Sequence, residues 1–172
     1  MPPHASVPAA TALLALALTV ATDAGAQAAP PVTAPASAPA DRERVLAAVD
    51  SLLQGMRAKS APLMGRQLDS LARLTLVRPA RGGGVRVAAL TGQDFVRAAT
   101  APGQPPLDEP IRNPVVQLDA DLATVWAEYQ VRRDGRVTHC GYDAFHLVRR
   151  PGGWKILNVS DTYRTAGCGA AW

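Results

Sequence analysis

From Asp41 onward the apolar residues Val45, Leu46, Val49, Leu52, Leu53 and Met56 recur at helical spacing. They define one face of a first helix, with Asp41 as its N-cap and Glu43 in its first turn. Ser60 is placed to cap a shorter second helix that uses Leu63, Met64, Leu68 and Leu71, with Pro62 tolerated near its start. The period then drops to two. Leu74 and Leu76 mark a short strand, Arg78 to Gly84 a turn, and Val85 and Val87 the partner strand. Thr91 followed by Asp94 has the form of a capping box and predicts a third helix, with Phe95, Val96 and Ala99 facing inward. A Pro-rich loop over 102–110 ends it.

Everything after Ile111 reads as strand: 111–118, 122–132, 137–149 and 154–163. Pro114 lacks an N–H and places the first of these at a sheet edge. The turns between them are Asp119-Ala120-Asp121, the strong hairpin signal Asp134-Gly135, and Pro151-Gly152-Gly153. Helices can cover only one face of such a sheet. The pattern therefore predicts an α+β domain over 41–168, a curved antiparallel sheet wrapped around three helices as a cone-shaped barrel.

The residues before this domain are of another kind. Ala9 to Ala21 is an unbroken run of Ala, Leu, Val and Thr, too short to span a bilayer, and Ala24-Gly25-Ala26 follows it. Residues 1–26 read as a secretory signal peptide, with Ala26-Gln27-Ala28 as a second cleavage register. The Ala- and Pro-rich stretch 27–40 reads as a disordered linker. The expected location is outside the cytoplasm, periplasmic or extracellular, with no membrane attachment once the signal is removed.

Net charge is +4, carried almost wholly by scattered Arg, the tightest groups being Arg132-Arg133 with Arg136 and Arg149-Arg150 beside turns. No concentrated basic face with stacking aromatics forms, so nucleic acid is not an expected partner. No metal-ligand spacing, Gly-rich phosphate loop or nucleophile elbow occurs, and no cofactor is expected.

Three stretches carry a resemblance: Val125-Trp126-Ala127-Glu128-Tyr129, His139-Cys140-Gly141-Tyr142-Asp143-Ala144-Phe145, and Gly153-Trp154-Lys155-Ile156. With the element order, they make the chain from Asp41 to Tyr163 resemble the nuclear-transport-factor-2-like superfamily, the cystatin-like cones that include SnoaL-like cyclases and ketosteroid isomerases. That superfold hosts enzymes, ligand carriers and adaptor subunits alike, so the resemblance implies fold before function. The isomerases use a carboxylate base and a Tyr from the first helix; here that helix offers Leu52, Leu53 and Met56 instead. Catalytic residues are left unassigned.

An ideal Asp134-Gly135 turn sets Glu128 opposite Gly141, Trp126 opposite Asp143 and Gln130 opposite His139. One face of the hairpin then carries Trp126, Glu128, Gln130, His139, Asp143, Phe145 and Leu147; the other carries Val125, Ala127, Tyr129, Val131, Cys140, Tyr142, His146 and Val148. Because it joins large apolar groups with convergent polar ones, the first face is expected to line the pocket, with Trp126, Glu128, His139, Asp143 and Phe145 as ligand-binding candidates. Gly141 opposite Glu128 would leave room for a ligand or water. The second face would meet a second copy of the chain in a homodimer. Glu128 or Asp143 fits a general base with raised proton affinity and His139 as shuttle; both Asp143 and His139 equally fit a structural, hydrogen-bonded role. Cys140 and Cys168, the only cysteines, are expected to form a disulfide, the competing reading being a catalytic or metal-binding thiol pair. Two functions follow: a non-catalytic cone that binds a small apolar molecule or mediates assembly, and a pocket enzyme doing carboxylate-based proton transfer, isomerisation or hydrolysis. The absent helix Tyr favours the first.

Overall fold

The computed structural model describes residues 38–172. The signal peptide expected over 1–26 and most of the linker expected over 27–40 lie outside the described residues. The linker's last three residues do not: helix α1 spans Ala38–Arg57, so Ala38, Pro39 and Ala40 form its first turn. A proline is tolerated there because no intrahelical N–H bond is lost. Asp41 consequently sits one turn inside the helix rather than at its cap. It is buried, and its carboxylate accepts two hydrogen bonds from the Arg149 guanidinium at 3.0 and 2.7 Å.

Helix α2, Ala61–Gln67, is capped as expected, the Ser60 hydroxyl accepting from the Leu63 N–H. Strand β1 then runs Leu68–Pro79, so Leu68 and Leu71 belong to a strand and not to the helix. Strand β2 is Val85–Thr91 and helix α3 Gly92–Thr100, with Thr91 Oγ1 accepting from the Asp94 N–H at 3.0 Å. Strands β3 (Ile111–Asp119), β4 (Leu122–Arg133), β5 (Arg136–Arg150) and β6 (Gly153–Asp161) complete one sheet of order β2-β1-β6-β5-β4-β3. Two features differ from a closed antiparallel barrel. β1 pairs parallel with β6 through Leu68↔Ile156 and Leu74↔Val159, and β2 and β3 remain open edges. The parallel pairing joins residues so far apart in sequence that no local pattern announces it, which is why β1 is longer than its alternation suggests.

The core lies between the helices and the concave face of the sheet. Val45, Val49, Leu52 and Leu53 from α1, Met64 from α2 and Ala99 from α3 pack with Leu74, Val125, Phe145, Leu147, Trp154 and Ile156. Burial of these side chains is the main source of stability, each contributing roughly 1.5–3 kcal/mol for a fully buried Leu, Ile, Val or Phe.

The β4–β5 hairpin decides which residues reach that core. Asp134 and Gly135 both have positive φ (50° and 74°), so the tight turn forms, and beside it Arg133 pairs with Arg136 and Arg132 with Val137. The ladder then shifts by one: Val131 pairs with His139, leaving Thr138 unopposed. A bulge of one residue exchanges the faces of everything beyond it. Tyr129 therefore lies opposite Gly141, Glu128 opposite Tyr142, Ala127 opposite Asp143 and Trp126 opposite Ala144. The concave face combines Val125, Ala127, Tyr129 and Val131 with His139, Asp143, Phe145 and Leu147.

Beyond β6 the chain folds back along the start of β5. Cys140 and Arg164 exchange backbone hydrogen bonds at 3.0 and 2.9 Å, and Cys140 is disulfide-bonded to Cys168. Gln130 Nε2 donates to the carbonyls of Cys168 and Ala170, and Arg132 donates to that of Trp172 at 2.7 Å, so packed chain extends past Cys168. Gly141 is needed at this crossing: a Cβ there would collide with the Thr162 carbonyl oxygen and stand 2.6 Å from the Tyr129 ring. The space expected beside Gly141 is thus filled by protein.

Candidate functional site

Inside the cone, under α1 and α3, lies a cavity of about 310 Å³. Helices contribute only apolar side chains to it: Leu52, Leu53 and Met56 from α1, Phe95 and Ala98 from α3. The strands add Leu74, Leu76, Leu90, Val131, Phe145 and Val159, and Leu107 enters from the loop after α3. Into this apolar enclosure project Arg78, Glu109, His139, Asp143 and Asp161. Each strand position follows from alternation: Arg78 continues the inward series Leu74, Leu76 on β1, and Asp161 follows Val159 on β6.

The polar groups differ in how they are satisfied. Arg78 and Asp161 form a two-pronged ion pair, Nη1 to Oδ1 at 2.8 Å and Nη2 to Oδ2 at 2.6 Å. Asp143 is 1% exposed, and its Oδ2 has no hydrogen-bond partner. Burial, reinforced by the neighbouring Glu109 and Asp161 carboxylates, raises the Asp143 pKa well above the ordinary carboxylate value. Glu109 is pushed up to about 8 by the same two causes, loss of water first and the Asp161 charge second. His139 is shifted the other way, because burial and then the Arg78 charge disfavour its cation. Its ring lies against Tyr163, centroids 4.6 Å apart, and edge-on to Tyr129 at 5.9 Å. The Tyr129 hydroxyl is held by the chain after β6, donating to the Thr162 carbonyl at 2.6 Å, and burial raises its pKa.

Of the five side chains expected together, His139, Asp143 and Phe145 border this cavity. Trp126 and Glu128 do not; the bulge at Thr138 turns them to the convex face. Trp126 is 49% exposed and stacks on Tyr142 with centroids 5.0 Å apart. Glu128 accepts from Arg112 at 2.8 Å and from Asn113 at 3.2 Å, and these bonds hold its pKa below the ordinary value. A base of raised proton affinity therefore fits Asp143 and not Glu128. The sequence reading missed Glu109, Arg78 and Asp161. Arg78 could have been found by carrying the Leu74, Leu76 alternation one step further. Asp161 is masked by a second irregularity, which leaves Leu157 unpaired between Leu147↔Ile156 and His146↔Asn158. Glu109 sits in the Pro-rich loop, where no periodicity assigns a direction.

A larger, more open groove of about 570 Å³ runs between α2, α3 and β1. Its acid Asp69 is already bound by Arg150 at 2.8 Å, and its Thr91 caps α3. Among the described residues no three His, Cys, Asp or Glu side chains converge closely enough to hold a metal ion.

Solved structures share this architecture. A cystatin-like protein from Novosphingobium aromaticivorans superposes with a TM-score of 0.59 at 13% identity, over 76% of this chain and 86% of that one. A candidate dehydratase of the nuclear-transport-factor-2-like family from Streptomyces avermitilis gives 0.59 at 15% identity, over 75% and 99%. A protein from Kribbella flavida gives 0.56 at 20% identity, over 73% and 92%. The fold is the nuclear-transport-factor-2-like, cystatin-like cone. No protein-family model matches the sequence, and no curated protein does.

Proposed function

We propose that this domain binds a small, largely apolar molecule in the cone, with the molecule's polar end met by Asp143. One observation carries the reading: a carboxyl that is 1% exposed, with an oxygen lacking any hydrogen-bond partner, borders an otherwise apolar cavity. A buried polar group without a partner costs about 1–3 kcal/mol, so a site that keeps one is poised for a ligand that supplies the partner. The test is native mass spectrometry of the whole protein purified from its own source. A bound small molecule is expected, and it should be weakened or lost in Asp143→Asn. Protein that carries nothing, and whose cavity side-chain resonances ignore a panel of small apolar compounds, would overturn the reading.

A second reading is favoured by the company Asp143 keeps. Glu109, with a pKa of about 8, and His139, whose pKa burial lowers, border the same cavity, an arrangement suited to moving a proton on a bound substrate. One neighbour in fold is a candidate dehydratase, a reaction class that needs such groups. Chemical conversion of the co-purifying molecule by the native protein, absent with Asp143→Asn, would separate this reading from simple binding.

Export is the third element of the proposal. The Cys140–Cys168 disulfide supports an oxidising compartment, and no described helix is long and apolar enough to cross a membrane.

A further inference from the structure

The cavity's acids outnumber its bases. Its lining holds three carboxyl groups, Glu109, Asp143 and Asp161, against one guanidinium, Arg78. That guanidinium is already committed, both of its terminal nitrogens being bound to Asp161. His139 is a poor second cation, since burial and then the Arg78 charge lower its pKa. Asp143 and Glu109 are therefore left without an ion-pair partner within the cavity, and Asp143 also without a hydrogen-bond partner at Oδ2. An ion pair of its own would satisfy both. The protein does not provide one, and a metal ion has too few converging ligands among the described residues.

We propose that the ligand is a small apolar amine whose protonated nitrogen is met by the Asp143 and Glu109 carboxylates. The inference rests on the cavity being a binding site and adds the ligand's chemical class. An ammonium carries three donors, enough for the open oxygens of two carboxylates, and its hydrocarbon body suits Leu52, Leu53, Met56, Phe95 and Phe145. A neutral alcohol or ketone could accept a hydrogen bond from a protonated carboxyl but would leave the second acid unanswered. An anion would meet three carboxyls.

The binding must be linked to protons. In the unliganded protein burial raises the proton affinity of both acids, Glu109 to a pKa of about 8, so an ammonium has to displace a proton to form its ion pair. The groups facing this pair are Asp161 from β6, Arg78 from β1, Tyr129 from β4 and His139 from β5; α1 and α3 present only apolar side chains to the cavity, while Glu109 also borders a second hollow with Asp50, Gln54 and Arg57 of α1. With one proton released, affinity should rise about tenfold per pH unit between about pH 6 and 8, where Glu109 is still protonated. The rise should end as the amine itself deprotonates.

The experiment is calorimetric titration of the full chain with 2-phenylethylamine, 2-phenylethanol and phenylacetate. The expected result is that the amine binds at least tenfold tighter than the alcohol at pH 8, with the pH slope just described, and that phenylacetate does not bind. Asp143→Asn should lower amine affinity at least tenfold and leave the alcohol little changed. Glu109→Gln, at a partly exposed loop position, should flatten the pH dependence and serves if Asp143→Asn fails to fold. Alcohol binding that equals or exceeds amine binding, or amine binding indifferent to pH and to both substitutions, would overturn the amine and leave the binding pocket standing. Binding of none of the three would overturn both.

Discussion

At Asp143, inward placement and the lack of a partner have a consequence that can be read without any ligand. The folded state holds this carboxyl protonated to higher pH than the unfolded chain does, because burial raises its pKa. Over the interval from the ordinary carboxylate pKa up to the raised one, the native state therefore binds more protons than the unfolded state. Stability must fall as pH rises through that interval and is largest, for this group, below it. Asp143→Asn keeps the shape and removes the ionisation. At pH 7–8 it should leave the protein as stable as the native chain or up to about 1–3 kcal/mol more so. The difference should vanish toward pH 4. Chemical denaturation of both proteins across that range checks it; a variant destabilised at every pH would mean that Asp143 is a structural anchor. The sequence pointed to Asp143 as a candidate because acids seldom lie on an apolar strand face. It pointed equally to Glu128, one position along the ladder, which the structure spends on Arg112 and Asn113.

That difference arises at the scale of the element. The strands, their order and the Asp134-Gly135 turn were all legible, since alternation and turn chemistry are local. The bulge at Thr138 was not. Thr138 has no property that marks it as extra; what displaces the ladder is the demand that Tyr129 and Phe145 both reach the core, with Gly141 making room for the Tyr129 ring. The residues after β6 follow a similar logic. Cys140 and Cys168 could be paired from their number and the expected compartment, but the return path is set by Gln130, Arg132 and the Cys140–Arg164 bridge. This segment also seats Tyr163 over His139, beside the cavity. Replacing both cysteines with Ser should cost about 2–4 kcal/mol, the range for a closed loop of this size. The sequence separation is 28 residues. Urea unfolding should show a lowered midpoint. Faster amide exchange should be confined first to Thr162–Trp172, before the sheet opens, because only the bridge and side-chain bonds then hold that segment. Unchanged exchange there would show that the hydrogen bonds alone suffice.

For the whole molecule, the expected export signal lies outside the described residues and is open to direct test. The Ala-Leu run and the small residues at Ala24 and Ala26 lead to the expectation that the mature chain begins near Gln27 or Ala29. N-terminal sequencing of exported protein should return one of those starts, and a sample beginning at Met1 would refute the signal. Within the domain, what the sequence determined by itself is everything encoded over a few neighbouring residues. That includes the helical faces, the Ser60 and Thr91 caps, the hairpin turn, the order of three helices and the antiparallel strands, and the cysteine pair. Only the tertiary structure decided the parallel β1–β6 contact, the open edges of the cone, and the one-residue shift that turned Trp126 and Glu128 outward while Asp143 stayed in. Only it brought Arg78, Glu109, Asp143 and Asp161 to one cavity from four separate segments. The physical reason is common to these cases. A side chain's direction on a strand has a period of two, so any irregularity reverses it, and irregularities are set by long-range packing that no local pattern records.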